Sequence, residues 1–203
     1  MTHSGKRRKT AAEAIREAEA DPAYRDMRER EERRQSEQLA RTRENEAPLV
    51  AALRAVGVKV ESVWDLVNTH ATYSVAIPVL LEHLQRDYMG EIREGIARAL
   101  AVPEAAWAWD VLFGAFQQEP AGGRPNVKFA LACALSGASS DDVIDRIIAL
   151  VRDPSVGENR LALLNALGRS RLPRARQTLE DMRDDPQLKR EIRIILGSRR
   201  KRS

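Results

Sequence analysis

The chain has 203 residues, 43% of them hydrophobic, 32% charged and only 4% aromatic. That is enough apolar content for one sizeable core or a short repeat array. No stretch approaches the roughly 18 uninterrupted apolar residues of a membrane span, and the basic N-terminus lacks the apolar run of a secretion signal. A single cysteine, Cys133, rules out an internal disulfide framework, so the expected compartment is the cytoplasm and no membrane partner is expected. The net charge of +4 is unevenly spread: +1 over residues 1–46, −4 over 47–168 and +7 over 169–203. The sequence describes a charge dipole with a basic C-terminal end.

Residues 1–46 have almost no apolar stripe; Ile15, Tyr24, Met27 and Leu39 stand far apart among charges. Opposite charges sit four apart at Asp26/Arg30, Glu29/Arg33 and Glu37/Arg41. Such pairs add about 0.2–0.5 kcal/mol each, enough to favour helix but not to dock it. The segment reads as a charged, exposed helical extension with a disordered basic tip.

From Pro48 the pattern changes. Leu49, Val50, Leu53 and Val56 form a helical stripe ending at Gly57, and Val63, Leu66 and Val67 form another. Helices are then predicted at 75–84, 91–101, 104–117, 126–135, 141–151, 158–167, 174–182 and 188–196, each closed by Gly, Pro, Asp or Asn. Apolar spacing is three and four throughout, never two, so the predicted class is all-α.

Every second helix carries a related octapeptide: Arg93-Glu-Gly-Ile-Ala-Arg-Ala-Leu100, Lys128-Phe-Ala-Leu-Ala-Cys-Ala-Leu135, Arg160-Leu-Ala-Leu-Leu-Asn-Ala-Leu167 and Lys189-Arg-Glu-Ile-Arg-Ile-Ile-Leu196. Each opens with a base and ends with Leu, and the closing leucines lie 35, 32 and 29 residues apart. That is the length of a two-helix unit with its turns, the mark of a stacked-hairpin array.

On these residues the chain, from about 73 to 197, resembles the HEAT-repeat family. Ser62–Asn68 and Ala76–Leu84 look like a group of uncharacterised bacterial HEAT-like proteins. The resemblance implies a short right-handed α-solenoid over 47–197, preceded by the 1–46 extension and followed by a basic tail at 198–203. It also implies an acidic residue in the turn before each second helix, and Asp87, Asp153 and Asp184-Asp185 stand before Arg93, Arg160 and Lys189. Each opening base lies beside its helix's packed stripe, which favours a structural Asp–Arg ladder between units. The Ala121–Pro125 loop breaks this pattern. A fold shared by many activities assigns none.

Signals for chemistry are weak. Asp141-Asp142-Val-Ile-Asp145 spells the diphosphate-binding DDxxD, but Ser139 and Ser140 precede it where a helix cap belongs. His3, His70, His83 and Cys133 have no zinc spacing. Cys133 lies among apolar neighbours without a partner histidine, as a structural thiol does. Trp107, Trp109 and Asp110 suggest a HEAT-like DNA glycosylase, yet residues 107 and 109 point about 200° apart on a helix. Trp109 is expected to pack with Leu112, Phe113 and Phe116.

The expected function is therefore a non-enzymatic protein-interaction module without cofactor or metal. A protein or peptide would bind a face of the second helices that carries Glu94, Arg98, Asn126 and Asn159. The alternative is nucleic-acid association through a basic end made of Arg169, Arg171, Arg174, Arg176, Arg199, Arg200, Lys201 and Arg202.

Overall fold

The computed structural model describes Thr10 and residues 20–200, the last two as backbone only. The chain divides between Glu44 and Asn45 into two units, taken here in turn.

In the first unit the described chain is helical from Pro22, the start of α1 (Pro22–Ala55). Asp21 accepts the Ala23 N–H at 2.9 Å, satisfying one of the donors a helix start leaves free. From residue 22 to 44 every side chain is exposed except the half-buried Tyr24 and Thr42. The four-apart ion pair formed here is Arg28–Glu32 at 2.9 Å, with Glu31 accepting from Gln35. The predicted pairs Asp26/Arg30, Glu29/Arg33 and Glu37/Arg41 do not form. Exposed pairs differ by tenths of a kcal/mol, too little for sequence spacing to select one. The expected disordered tip falls outside the described residues.

In the second unit the last turns of α1 bury Leu49 and Leu53 completely, and Gly57 ends the run at φ 87°. Then come α2 (Trp64–Val67), α3 (Ile77–Leu84), α4 (Gly90–Ala99), α5 (Trp109–Gln118), α6 (Val127–Gly137), α7 (Ile144–Arg152), α8 (Arg160–Arg169), α9 (Pro173–Asp181) and α10 (Lys189–Arg200). Among the described residues all regular structure is helical.

Two helix environments alternate. Helices α2, α4, α6, α8 and α10 pack each against the next, and α3, α5, α7 and α9 each rest on the inner helix that follows them. An inner helix therefore has neighbours on three sides and needs small residues there. In α6, Ala130, Leu131, Ala132, Ala134 and Leu135 are all fully buried. An outer helix buries one stripe, such as Ile144, Ile147 and Val151 of α7. The fourth and seventh octapeptide places are buried in all four copies: Ile96 and Ala99, Leu131 and Ala134, Leu163 and Ala166, Ile192 and Ile195. Each buried Leu or Ile contributes about 1.5–3 kcal/mol.

Bonds from the outer to the inner side of a helix pair recur in register. The Tyr73 hydroxyl donates to the Ala99 carbonyl at 2.9 Å, and one unit on Trp109 Nε1 donates to the Leu135 carbonyl at 3.1 Å; both span 26 residues. Along the outer row Asp110 pairs with Arg146, Asp145 with Arg174 and Arg152 with Asp181. The opening bases form only part of the expected ladder. Arg93 clasps Glu119 through both nitrogens, and buried Arg160 holds Asp185 at 2.9 Å and Gln187. Lys128 instead donates to the Glu119 carbonyl and lies 5.0 Å from the Phe116 ring centre. The carboxylate partners of Arg93 and Arg160 come from the following unit rather than from the preceding turn. Asp153, for one, is used to cap Ser155.

Candidate functional site

The inner helices present a face in which the buried octapeptide places repeat and the second and sixth places vary. These are Glu94 and Arg98 on α4, Phe129 and Cys133 on α6, Leu161 and Asn165 on α8, and Arg190 and Ile194 on α10. Glu94 and Arg98, one turn apart, pair at 2.7 Å. The other Glu94 oxygen accepts the Asn126 N–H at 3.1 Å. Asn126 caps α6 by accepting from Phe129 N–H, and its side-chain amide donates to Glu158 at 3.0 Å. A polar line thus runs Arg98–Glu94–Asn126–Glu158 along three successive units. Beside it Phe129, Cys133 and Leu161 are half-buried.

Three of the four residues expected on this face are brought together. Asn159 is not. It is 5% exposed, turned inward by a three-ten turn (Pro154–Asn159) in which Gly157 takes φ 63°, and it donates to the Val156 carbonyl at 2.9 Å. Phe129, Cys133, Leu161 and Asn165 were not singled out as face residues, although the variable places of the octapeptide mark them. Burial pushes the Cys133 thiol up; the Arg98 charge partly opposes this and Glu94 adds to it.

A cleft of about 400 Å³ opens at the α4 end of the same unit. Thr69, His70, Tyr73, Arg98, Val102 and Glu104 help line it. Burial, and then the Glu104 charge, raise the Tyr73 phenol. Its proton is held by the Ala99 carbonyl, which makes Tyr73 a strut rather than an acid.

Of the C-terminal arginines expected to meet an anion, three of the four whose side chains are described are occupied. Arg169 donates to the Ser136 carbonyl, Arg174 pairs with Asp145 at 2.6 Å and Arg176 with Glu180 at 2.9 Å. Arg171 is exposed and has no ionic or hydrogen-bond partner among the described residues. The side chains of Arg199, Arg200, Lys201 and Arg202 lie outside the described residues.

Trp109 is 2% exposed and stacks on Phe113 at 5.3 Å, with the Arg146 guanidinium 4.2 Å over its ring. Trp107 is 67% exposed. The two rings do not share a surface. In the DDxxD segment Asp141 accepts from Ser170, the Asp142 carboxylate accepts from the Ser140 hydroxyl at 3.3 Å and Asp145 holds Arg174, so each carboxylate has a partner within the fold. Among the described residues no three His, Cys, Asp or Glu are grouped to hold a metal ion, and no single helix is long and apolar enough to cross a membrane. Compared with protein families, curated proteins and solved structures, the chain matches none.

Proposed function

We propose that the second unit is a short HEAT-like α-solenoid and that its inner face is a protein-interaction surface without catalytic function. The observation that carries this reading is the division of labour within one octapeptide. Buried places repeat from unit to unit, while the second and sixth places differ in every copy. A repeated framework with varied outward positions is how a stacked array keeps its fold while acquiring selectivity. The partner is a protein segment carrying aliphatic and basic side chains, the former for Phe129, Cys133 and Leu161 and the latter for the exposed Glu158. Asn165 supplies both a donor and an acceptor to such a segment's backbone.

The test is affinity purification from the host with the Asn165→Lys/Leu161→Ser variant and with Gln177→Lys on the outer row. Helical circular dichroism serves as the fold control. The inner-face variant is expected to lose a partner that wild type and Gln177→Lys retain. Retention by all three removes the inner face from the account.

A further inference from the structure

At the last helix the inner face changes chemistry, because Arg190 and Ile194 fill its second and sixth places and Lys189 and Arg193 stand beside them. Leu188, just before α10, and Ile192 and Ile195 on it are turned into the fold, while Lys189, Arg190, Arg193 and Ile194 are exposed. The side chains of Lys189, Arg190 and Arg193 are exposed and, like that of Arg171, have no ionic or hydrogen-bond partner among the described residues. Arg171 follows the end of α8, where Gly168 lets Ile195 come close: a Cβ there would lie 2.9 Å from Ile195 Cγ2. Three of the cations thus stand on α10 and the fourth just past the end of α8, the helix that α10 packs against.

This basicity is uncompensated for a structural reason. The acids that could neutralise it are already engaged: Glu180 with Arg176, Asp181 with Arg152, Asp184 with Arg183 and Asp185 with Arg160. Two of those arginines, Arg152 and Arg160, come from earlier helices. Two of the four acids thus serve earlier helices and two serve Arg176 and Arg183, while Arg171, Lys189, Arg190 and Arg193 are left facing water. Glu191, half-buried, is the one acid on α10.

We propose that this edge binds the phosphodiester backbone of duplex nucleic acid through Lys189, Arg190, Arg193 and Arg171, without reading sequence. The surface has one exposed aliphatic, Ile194, and no exposed aromatic. A protein interface draws its affinity from a desolvated anchor, which this edge does not offer. Phosphate binding needs none, because released counterions drive it. Lacking rings to stack on bases, the edge positions a duplex rather than specifying a site. The net −4 of residues 47–168 confines the contact to this end.

The experiment is fluorescence anisotropy of the full chain with a labelled random-sequence DNA duplex, between about 50 and 200 mM salt. Four phosphate contacts correspond to at least about a hundredfold weakening over that range. The Arg171→Ser/Lys189→Ser/Arg190→Ser/Arg193→Ser variant is expected to bind at least about tenfold more weakly at the lower salt, with a flatter salt dependence. The Arg174→Gln/Arg176→Gln variant, whose arginines are already paired, stays within about twofold. Should the fourfold variant fail to give a helical dichroism spectrum, the single Arg190→Glu change at an exposed position is read the same way. No binding by wild type, undiminished binding by the variants, or displacement by polyglutamate as effective as by unlabelled duplex would each overturn the proposal.

Discussion

Gly137 closes α6 where that helix meets the end of α4. A Cβ at this position would lie 2.3 Å from both the carbonyl carbon and the oxygen of Ala101. Ordinary contact between such atoms is about 3.5 Å, so the overlap exceeds 1 Å. The obstacle is backbone, which cannot swing aside as a side-chain tip can, so Gly137→Ala must part α4 from α6. Overpacking of this kind costs about 1–3 kcal/mol, and looser packing of Leu100 and Leu135 adds to it. Alanine's helix propensity returns about 1 kcal/mol, leaving a net destabilisation of up to about 2 kcal/mol. For a chain of this size that lowers Tm by up to about 6 °C. Gly114, inside α5, is the matched control, since a Cβ there meets nothing within 4 Å. Gly114→Ala should gain the propensity term alone and raise Tm by about 3 °C. Thermal unfolding followed by circular dichroism reads both. If the two substitutions shift Tm in the same direction, the inner helices do not approach as closely as described.

Further outcomes are expected at charged and titrating positions. Asp185→Asn leaves the buried Arg160 guanidinium without its counter-charge and should cost about 3 kcal/mol in urea unfolding, whereas Asp110→Asn, at an exposed pair, should cost under about 1. Burial of Asp185 raises its carboxyl, but the Gln187 N–H, Arg160 and the Leu188 N–H outweigh this and hold it below 3.8. Its contribution is present above the unfolded value and disappears as pH falls through the folded one. His83 is 2% exposed and shares a 2.7 Å hydrogen bond with the Tyr88 hydroxyl; burial first, then Arg86, lower it below 6.5 despite Glu82. Folding stability should therefore be flat in this term above about pH 6.5 and fall as pH drops toward the folded value, and His83→Gln should remove that slope. Cys133 should react slowly with iodoacetamide at neutral pH and speed up only above the pH at which a free thiol does, because burial raises its pKa.

The helices were legible because an apolar period near 3.6 survives in every segment, and the octapeptide announced the inner row. Boundaries moved where proline starts a three-ten turn. The predicted helix 104–117 is a three-ten turn from Pro103 to Ala108 followed by α5, and the chain enters α8 through Pro154–Asn159. The Gly157 turn also explains why Asn159 is inside: periodicity assumes helical backbone, and φ 63° breaks it. Ion pairing was the least legible feature. Sequence proximity matched Arg93 with Asp87 and Arg160 with Asp153, whereas folding brings in Glu119 and Asp185 from the next unit. The same limit applies to the basic end. Counting charges picked Arg169, Arg171, Arg174 and Arg176 with the tail at 199–202; among the described residues of that end Arg171 is left without an ion pair, as are Lys189, Arg190 and Arg193, which the count did not pick. Which base faces water depends on which acids neighbouring helices have already taken.

The inner face as the recognition surface is tested most directly by photo-crosslinking in the host, with benzoylphenylalanine placed at Asn165 on α8 or at Gln177 on α9. A discrete adduct from position 165, whose crosslinked segment carries basic and aliphatic residues, and none from 177, is the expected result. An adduct from 177 alone, or the same adduct from both positions, would contradict it.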